Sequence, residues 1–128
     1  MKYLGIDYGT KRIGVALSDD DGKIAFPKVI LENNSKIIEE LLKIARKNSV
    51  GKIILGESKN FKMEDNEIMT EILDLKKILE SELNIDVHLH PEFLTSVEAR
   101  KITGKSEKLD ASAAAIILQD YLDGQNRR

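Results

Sequence analysis

The chain has 128 residues, 41% of them hydrophobic and 33% charged, with a formal net charge of −2. That length suits one domain with a real core, and the charge balance excludes a polycation, so any nucleic-acid contact must come from a local basic patch. Cysteine is absent, which excludes disulfide staples and thiolate metal sites. No apolar run reaches bilayer-spanning length and no charged leader precedes the first strand. The expected location is therefore cytoplasmic, with no membrane partner.

Tyr3, Leu4 and Ile6 begin a strand. Gly9 and Thr10 supply a turn, where glycine tolerates positive φ. Ile13, Val15 and Leu17 alternate as a returning strand. Asp7 is the anomaly, because a carboxylate ending an apolar strand is costly to desolvate without a cation. One reading gives it a divalent metal, and the other gives it the turn amides of Gly9 and Thr10. Asp20-Asp21-Gly22 makes a second hairpin turn. Residues 23–31 form a third strand, which Pro27 places at the sheet edge.

Asn33, Asn34 and Ser35 then cap a helix that ends near Asn48. Residues 50–56 read as a short buried strand, which implies a switch to parallel pairing. Residues 63–83 carry the longest helical pattern, with Ile68, Ile72, Leu75, Ile78 and Leu79 on one face and Asn84 as C-terminal cap. Residues 85–89 form the last strand, with His88 and His90 on one side of it. A short helix is expected over 94–102, a polar link over 104–108 and an alanine-rich final helix over 109–121. Residues 1–124 are expected as one domain and 125–128 as a frayed tail.

This order predicts an α/β fold with a five-stranded mixed sheet, Asp7 on a central strand and helices covering the sheet. Sites in such sheets form at the carboxyl ends of the parallel strands. Asp7, Glu57 and Glu92 fall at or just past strand ends, and Asp110 opens the last helix. Asp110, Ala113, Ala114, Ile117 and Tyr121 share one helical face. Alanine there lets the helix lie close to the sheet and brings Asp110 toward the first strand. Converging carboxylates suit hard divalent cations, and a pair of such ions can drive phosphodiester hydrolysis. Each acid also has a plainer reading: Asp110 as a helix cap, Glu92 as a solvated loop acid, Glu57 as the point where a strand meets water.

Three stretches now bear together: residues 5–19 (Gly-Ile-Asp-Tyr-Gly-Thr-Lys-Arg-Ile-Gly-Val-Ala-Leu-Ser-Asp), Pro91-Glu92-Phe93-Leu94-Thr95-Ser96, and residues 110–123. Together they resemble the YqgF/RuvX family, named for a pre-16S rRNA nuclease and earlier for a Holliday junction resolvase. The resemblance runs nearly the whole chain. It implies a ribonuclease H-like fold with helices on both sheet faces. It implies Asp7, Glu92 and Asp110 as catalytic, metal-binding carboxylates for Mg2+ or Mn2+, with Glu57 as an added acid. It also implies Lys11, Arg12 and Thr95 as substrate contacts. The implied partner is nucleic acid, either rRNA precursor or branched DNA. Two departures stand out. Pro91 and Phe93 replace Asp and Arg in the family's Asp-Glu-Arg-Leu-Thr-Thr, and Gly56-Glu57-Ser58 replaces Gly-Leu-Pro.

Two other classes compete. Gly5-Ile6-Asp7-Tyr8-Gly9-Thr10 also resembles the first phosphate loop of the actin, Hsp70 and sugar-kinase ATPases. Those clamp nucleotide between two lobes, whereas this length makes one. An inactive nucleic-acid-binding domain of the same fold is the third reading. Lys11 and Arg12, beside the turn, suit a backbone phosphate, whereas Arg100, Lys101, Lys105 and Lys108 read as a solvated face. The histidines read as packed or exposed side chains. Aromatic content of 5% leaves little material for base stacking.

Overall fold

The computed structural model describes residues 1–57, 66–91 and 106–126. Its elements are β1 (Lys2–Asp7), β2 (Arg12–Ser18), β3 (Ala25–Glu32), α1 (Ile37–Lys47), β4 (Val50–Glu57), α2 (Asn66–Leu83), β5 (Asp86–Pro91) and α3 (Ser106–Asn126). The five strands form one sheet in the order β3-β2-β1-β4-β5. β1 pairs antiparallel with β2 and parallel with β4. β2 pairs antiparallel with β3, and β4 pairs parallel with β5.

The mixed sheet, the central place of β1 and the edge place of β3 follow the sequence pattern. Pro27 has no amide to donate, so it sits where one side of the strand needs no partner. It pairs with Ala16, beside a register shift between Val15 and Ala16. α3 is longer than its alanine-rich core, starting at Ser106 and running through Asn126. The helix expected over 94–102 lies outside the described residues, as do residues 63–65 of the expected second helix.

Strand alternation divides the core into two layers. Leu4, Ile6, Ile13, Val15, Ile53, Leu55 and Val87 face one way, and Leu41, Leu42, Ala45, Ile72, Leu75 and Leu79 of α1 and α2 cover them. Each such side chain, fully buried, contributes about 1.5–3 kcal/mol. Ala16 and Ile54 face the other way with Gly5, against Ala114, Ile117, Leu118, Tyr121 and Leu122 of α3. Gly5 pairs with both Ala16 and Ile54, so these three form one row across the middle of the sheet. The empty position at Gly5 lets α3 descend onto β1.

The expected capping by Asn33, Asn34 or Ser35 is not realised: α1 starts at Ile37 with Lys36 at the cap position and no side-chain cap bond, while Asn34 Oδ1 accepts from the Lys36 amide at 2.9 Å in the turn before it. α2 ends at Asn84, whose φ of 55° turns the chain into β5. Gly22, at φ 69°, makes the β2–β3 turn in the left-handed region. The other turn glycine corrects the sequence expectation. Gly9 does not adopt positive φ; among the described residues Gly22 is the glycine that does. Gly9 is required instead by crowding, since a Cβ there would overlap the Arg12 carbonyl oxygen.

Candidate active site

The site is built from the carboxyl end of β1. Asp7 is half-buried and ends that strand. It pairs with Gly14 on β2. On the other side Ile6 pairs with Leu55, so the next position of β4 beside Asp7 is Gly56. Gly56 in turn pairs with His90 of β5. Asp7 therefore stands in a row with a buried glycine on either flank. The two flanking sheet positions thus carry no side chain.

Alternation puts Asp7 on the same face as Tyr3 and Gly5, the face that α3 covers. The Tyr3 ring packs on the Tyr121 ring, with centroids 6.0 Å apart. Gly5 lies against Leu118 and the Ala114 carbonyl. Advancing along β1 thus means going backward along α3. Two strand residues span about 6.6 Å, which equals between four and five residues of helix at about 1.5 Å each. From Ala114 that step reaches the turn of α3 that carries Asp110. The backbones of Asp7 and Asp110 are thereby brought to one end of the sheet. Glu57 closes β4 at the same end, paired with Pro91. Glu92 and Thr95 lie outside the described residues.

The donor set fits a hard divalent ion. Carboxylate oxygens are the ligands that magnesium and manganese take. Among the described residues no three metal-ligating side chains gather; the side chains of Glu57, Glu92 and Asp110 are not among them.

The turn after Asp7 is held from two directions. Tyr8 alternates to the opposite face, where its hydroxyl donates to Glu71 Oε1 on α2. Burial, the Glu71 hydrogen bond and the Glu71 charge together raise the Tyr8 pKa. From the other side, Asn33 Nδ2 donates to the Gly9 carbonyl at 2.8 Å, and the Asn33 amide donates to the Lys11 carbonyl at 2.9 Å. Lys11 and Arg12 are exposed at the rim of the turn. Arg100, Lys101 and Lys105 lie outside the described residues, and nothing of the Lys108 side chain is described.

The two histidines pack where β5 meets α3. The His88 ring lies 4.9 Å from the Tyr121 ring, and His90 Nε2 lies 2.7 Å from Asp120 Oδ2. Burial and the nearby Lys52 and His90 lower the His88 pKa. Lys52 Nζ donates to the Tyr121 hydroxyl at 2.8 Å, and that hydrogen bond raises the Lys52 pKa. Sequence reading missed the Asn33, Glu71 and Lys52 contacts. They join residues 24, 63 and 69 positions apart, for which no local pattern exists.

A five-stranded mixed sheet of order β3-β2-β1-β4-β5, helix-covered on both faces, is the ribonuclease H-like fold. The family model for RuvX, described as Holliday junction resolvase, matches residues 1–124. A protein of Maridesulfovibrio salexigens named "Putative pre-16S rRNA nuclease" is 35% identical, over 95% of this chain and 98% of its own. One of the same name from Thermoanaerobacter pseudethanolicus is 32% identical over the whole of both chains. Among solved structures, Thermus thermophilus RuvC superposes with a TM-score of 0.68, covering 99% of this chain and 97% of that one at 15% identity. The chain belongs to the RuvX family. Its enzymatic class is hydrolase, acting on ester bonds of nucleic acid.

Proposed function

We propose that this chain is a divalent-metal-dependent nuclease that hydrolyses phosphodiester bonds in structured nucleic acid, with 5′-end processing of pre-16S rRNA as its task. The carrying observation is Asp7 at the end of the central strand, set between Gly14 and Gly56; in this reading Asp110 on α3 is its partner acid. The names of the relatives support the RNA substrate.

In this reading Asp7, Glu92 and Asp110 hold magnesium or manganese, with Glu57 close enough in the strand order to add a ligand. The bound metal supplies Lewis acidity to the attacking water and to the departing 3′ oxygen. The protein's own residues do the rest. Asp7 is the most rigidly placed ligand, since its strand is hydrogen-bonded on both sides. Lys11 and Arg12 hold backbone phosphates as exposed cations. The Thr95 hydroxyl donates to a phosphate oxygen. α3 is seated on Gly5 of the same strand that ends in Asp7.

A second reading keeps the same chemistry on branched DNA. It is favoured by the fold shared with Thermus thermophilus RuvC, which has also been solved in complex with Holliday junction substrate. The two separate in one assay: purified protein with magnesium, offered a labelled pre-16S rRNA and a four-way DNA junction. Cleavage of the RNA at its 5′ side, abolished by EDTA, supports the first. Cleavage of the junction alone supports the second. Failure on both leaves an inactive nucleic-acid-binding domain.

A further inference from the structure

The turn between Asp7 and Arg12 has to present two cations to a substrate beside a strand-end carboxylate. Loops that carry cations are mobile unless their backbone is tied down. Here Asn33 does the tying. It follows Glu32, whose strand register pairs it with Arg12. The Asn33 amide donates to the Lys11 carbonyl at 2.9 Å, which extends the β2–β3 ladder one step into the turn. Its side-chain Nδ2 donates to the Gly9 carbonyl at 2.8 Å, which closes the turn from inside. The neighbouring Tyr8 hydroxyl is held separately, donating to Glu71 of α2. Residues 9 and 11 are thus both fixed through one asparagine. A short side chain that carries an N–H donor is needed, and asparagine supplies it.

We propose that Asn33 is a positioning residue: its side-chain amide, donating to the Gly9 carbonyl, presets the turn so that Lys11 meets a backbone phosphate of the nucleic acid. This rests on the nuclease reading above. Asn33 acts through Lys11 and touches no substrate itself. The main-chain bond from residue 33 to Lys11 survives truncation of the side chain, so Asn33→Ala removes the preset and keeps the strand pairing.

The test is RNA binding without catalysis. Fluorescence anisotropy of a labelled pre-16S rRNA stem is followed in EDTA over a series of salt concentrations. Wild type, Lys11→Ala, Asn33→Ala and the double variant are compared. Asn33→Ala should weaken binding about three- to tenfold, the worth of one ordering hydrogen bond. It should flatten the salt dependence by about one phosphate contact, as Lys11→Ala does. The double variant should bind no worse than Lys11→Ala alone, because both changes remove one contact. Amide exchange at residues 9–12 should speed up in Asn33→Ala, while exchange in β1 and β4 stays as in wild type. An unchanged salt slope, or losses that add in the double variant, overturns the proposal while leaving the nuclease reading intact. A wild type with no salt-dependent RNA binding overturns both.

Discussion

Gly5 of β1 and Leu118 of α3 interlock so closely that a Cβ on Gly5 would stand 2.8 Å from Leu118 Cβ and 3.1 Å from the Ala114 carbonyl oxygen. The contact sets how far α3 lies from the sheet. It also sets how near the Asp110 turn comes to the Asp7 end of β1.

Gly5→Ala is therefore expected to cost about 1–3 kcal/mol by overpacking, and cleavage should fall further than stability alone explains, since α3 must lift. Urea unfolding and initial cleavage rates, measured on the same preparation, check this. Leu118→Ala is the complement. Leu118 is fully buried, so truncation should cost about 2–5 kcal/mol. In Gly5→Ala, Leu118→Ala together, the Cβ at position 118 and the Ala114 carbonyl that the new methyl meets are still in place, so the two losses should roughly add.

The row of small residues was readable in the sequence as alanines on one helical face, and the edge strand was readable from Pro27, because both are local rules of spacing and backbone chemistry. Asp7 stood out for the same reason, as a charge ending an apolar strand. What stayed hidden was tertiary. Gly14 and Gly56 are 42 positions apart in number and become the two flanks of Asp7 only once β1 pairs with β2 and β4. The role of Gly9 was misread, because a turn glycine suggests positive φ whereas the constraint is the approach of the Arg12 carbonyl. Asn33 looked like one of several capping residues, and its reach to Gly9 depends on where β3 ends.

The β5–α3 seam predicts a pH dependence. His88 packs on Tyr121 near Lys52 and His90, and its pKa is lowered in the folded state. The unfolded chain then binds more protons than the folded one at and below about pH 6.5. The stability that a neutral His88 contributes is present above that pH and is lost as pH falls through the lower folded value. Melting temperatures from pH 7.5 to pH 5 should fall more steeply for wild type than for His88→Gln. Parallel curves would remove His88 from the account.

Metal should stabilise the protein by mass action. Manganese or magnesium at a hundredfold excess over its dissociation constant should add about 2.7 kcal/mol, seen as a raised melting temperature. Asp7→Asn should lose most of that gain. The same substitution relieves any repulsion between Asp7 and its neighbouring acids, so without metal it should be no less stable than wild type. A melting temperature indifferent to both ions, in wild type as in Asp7→Asn, contradicts a preformed metal site.

The central claim is that Asp7 anchors the hydrolytic centre. The most direct measurement compares wild type with Asp7→Asn for cleavage of labelled pre-16S rRNA in magnesium, alongside binding of the same RNA in EDTA. Asn keeps the shape of the side chain and removes the charge that holds a cation. The account predicts that cleavage is abolished while binding and fold change little. Cleavage by Asp7→Asn at the wild-type rate would contradict it.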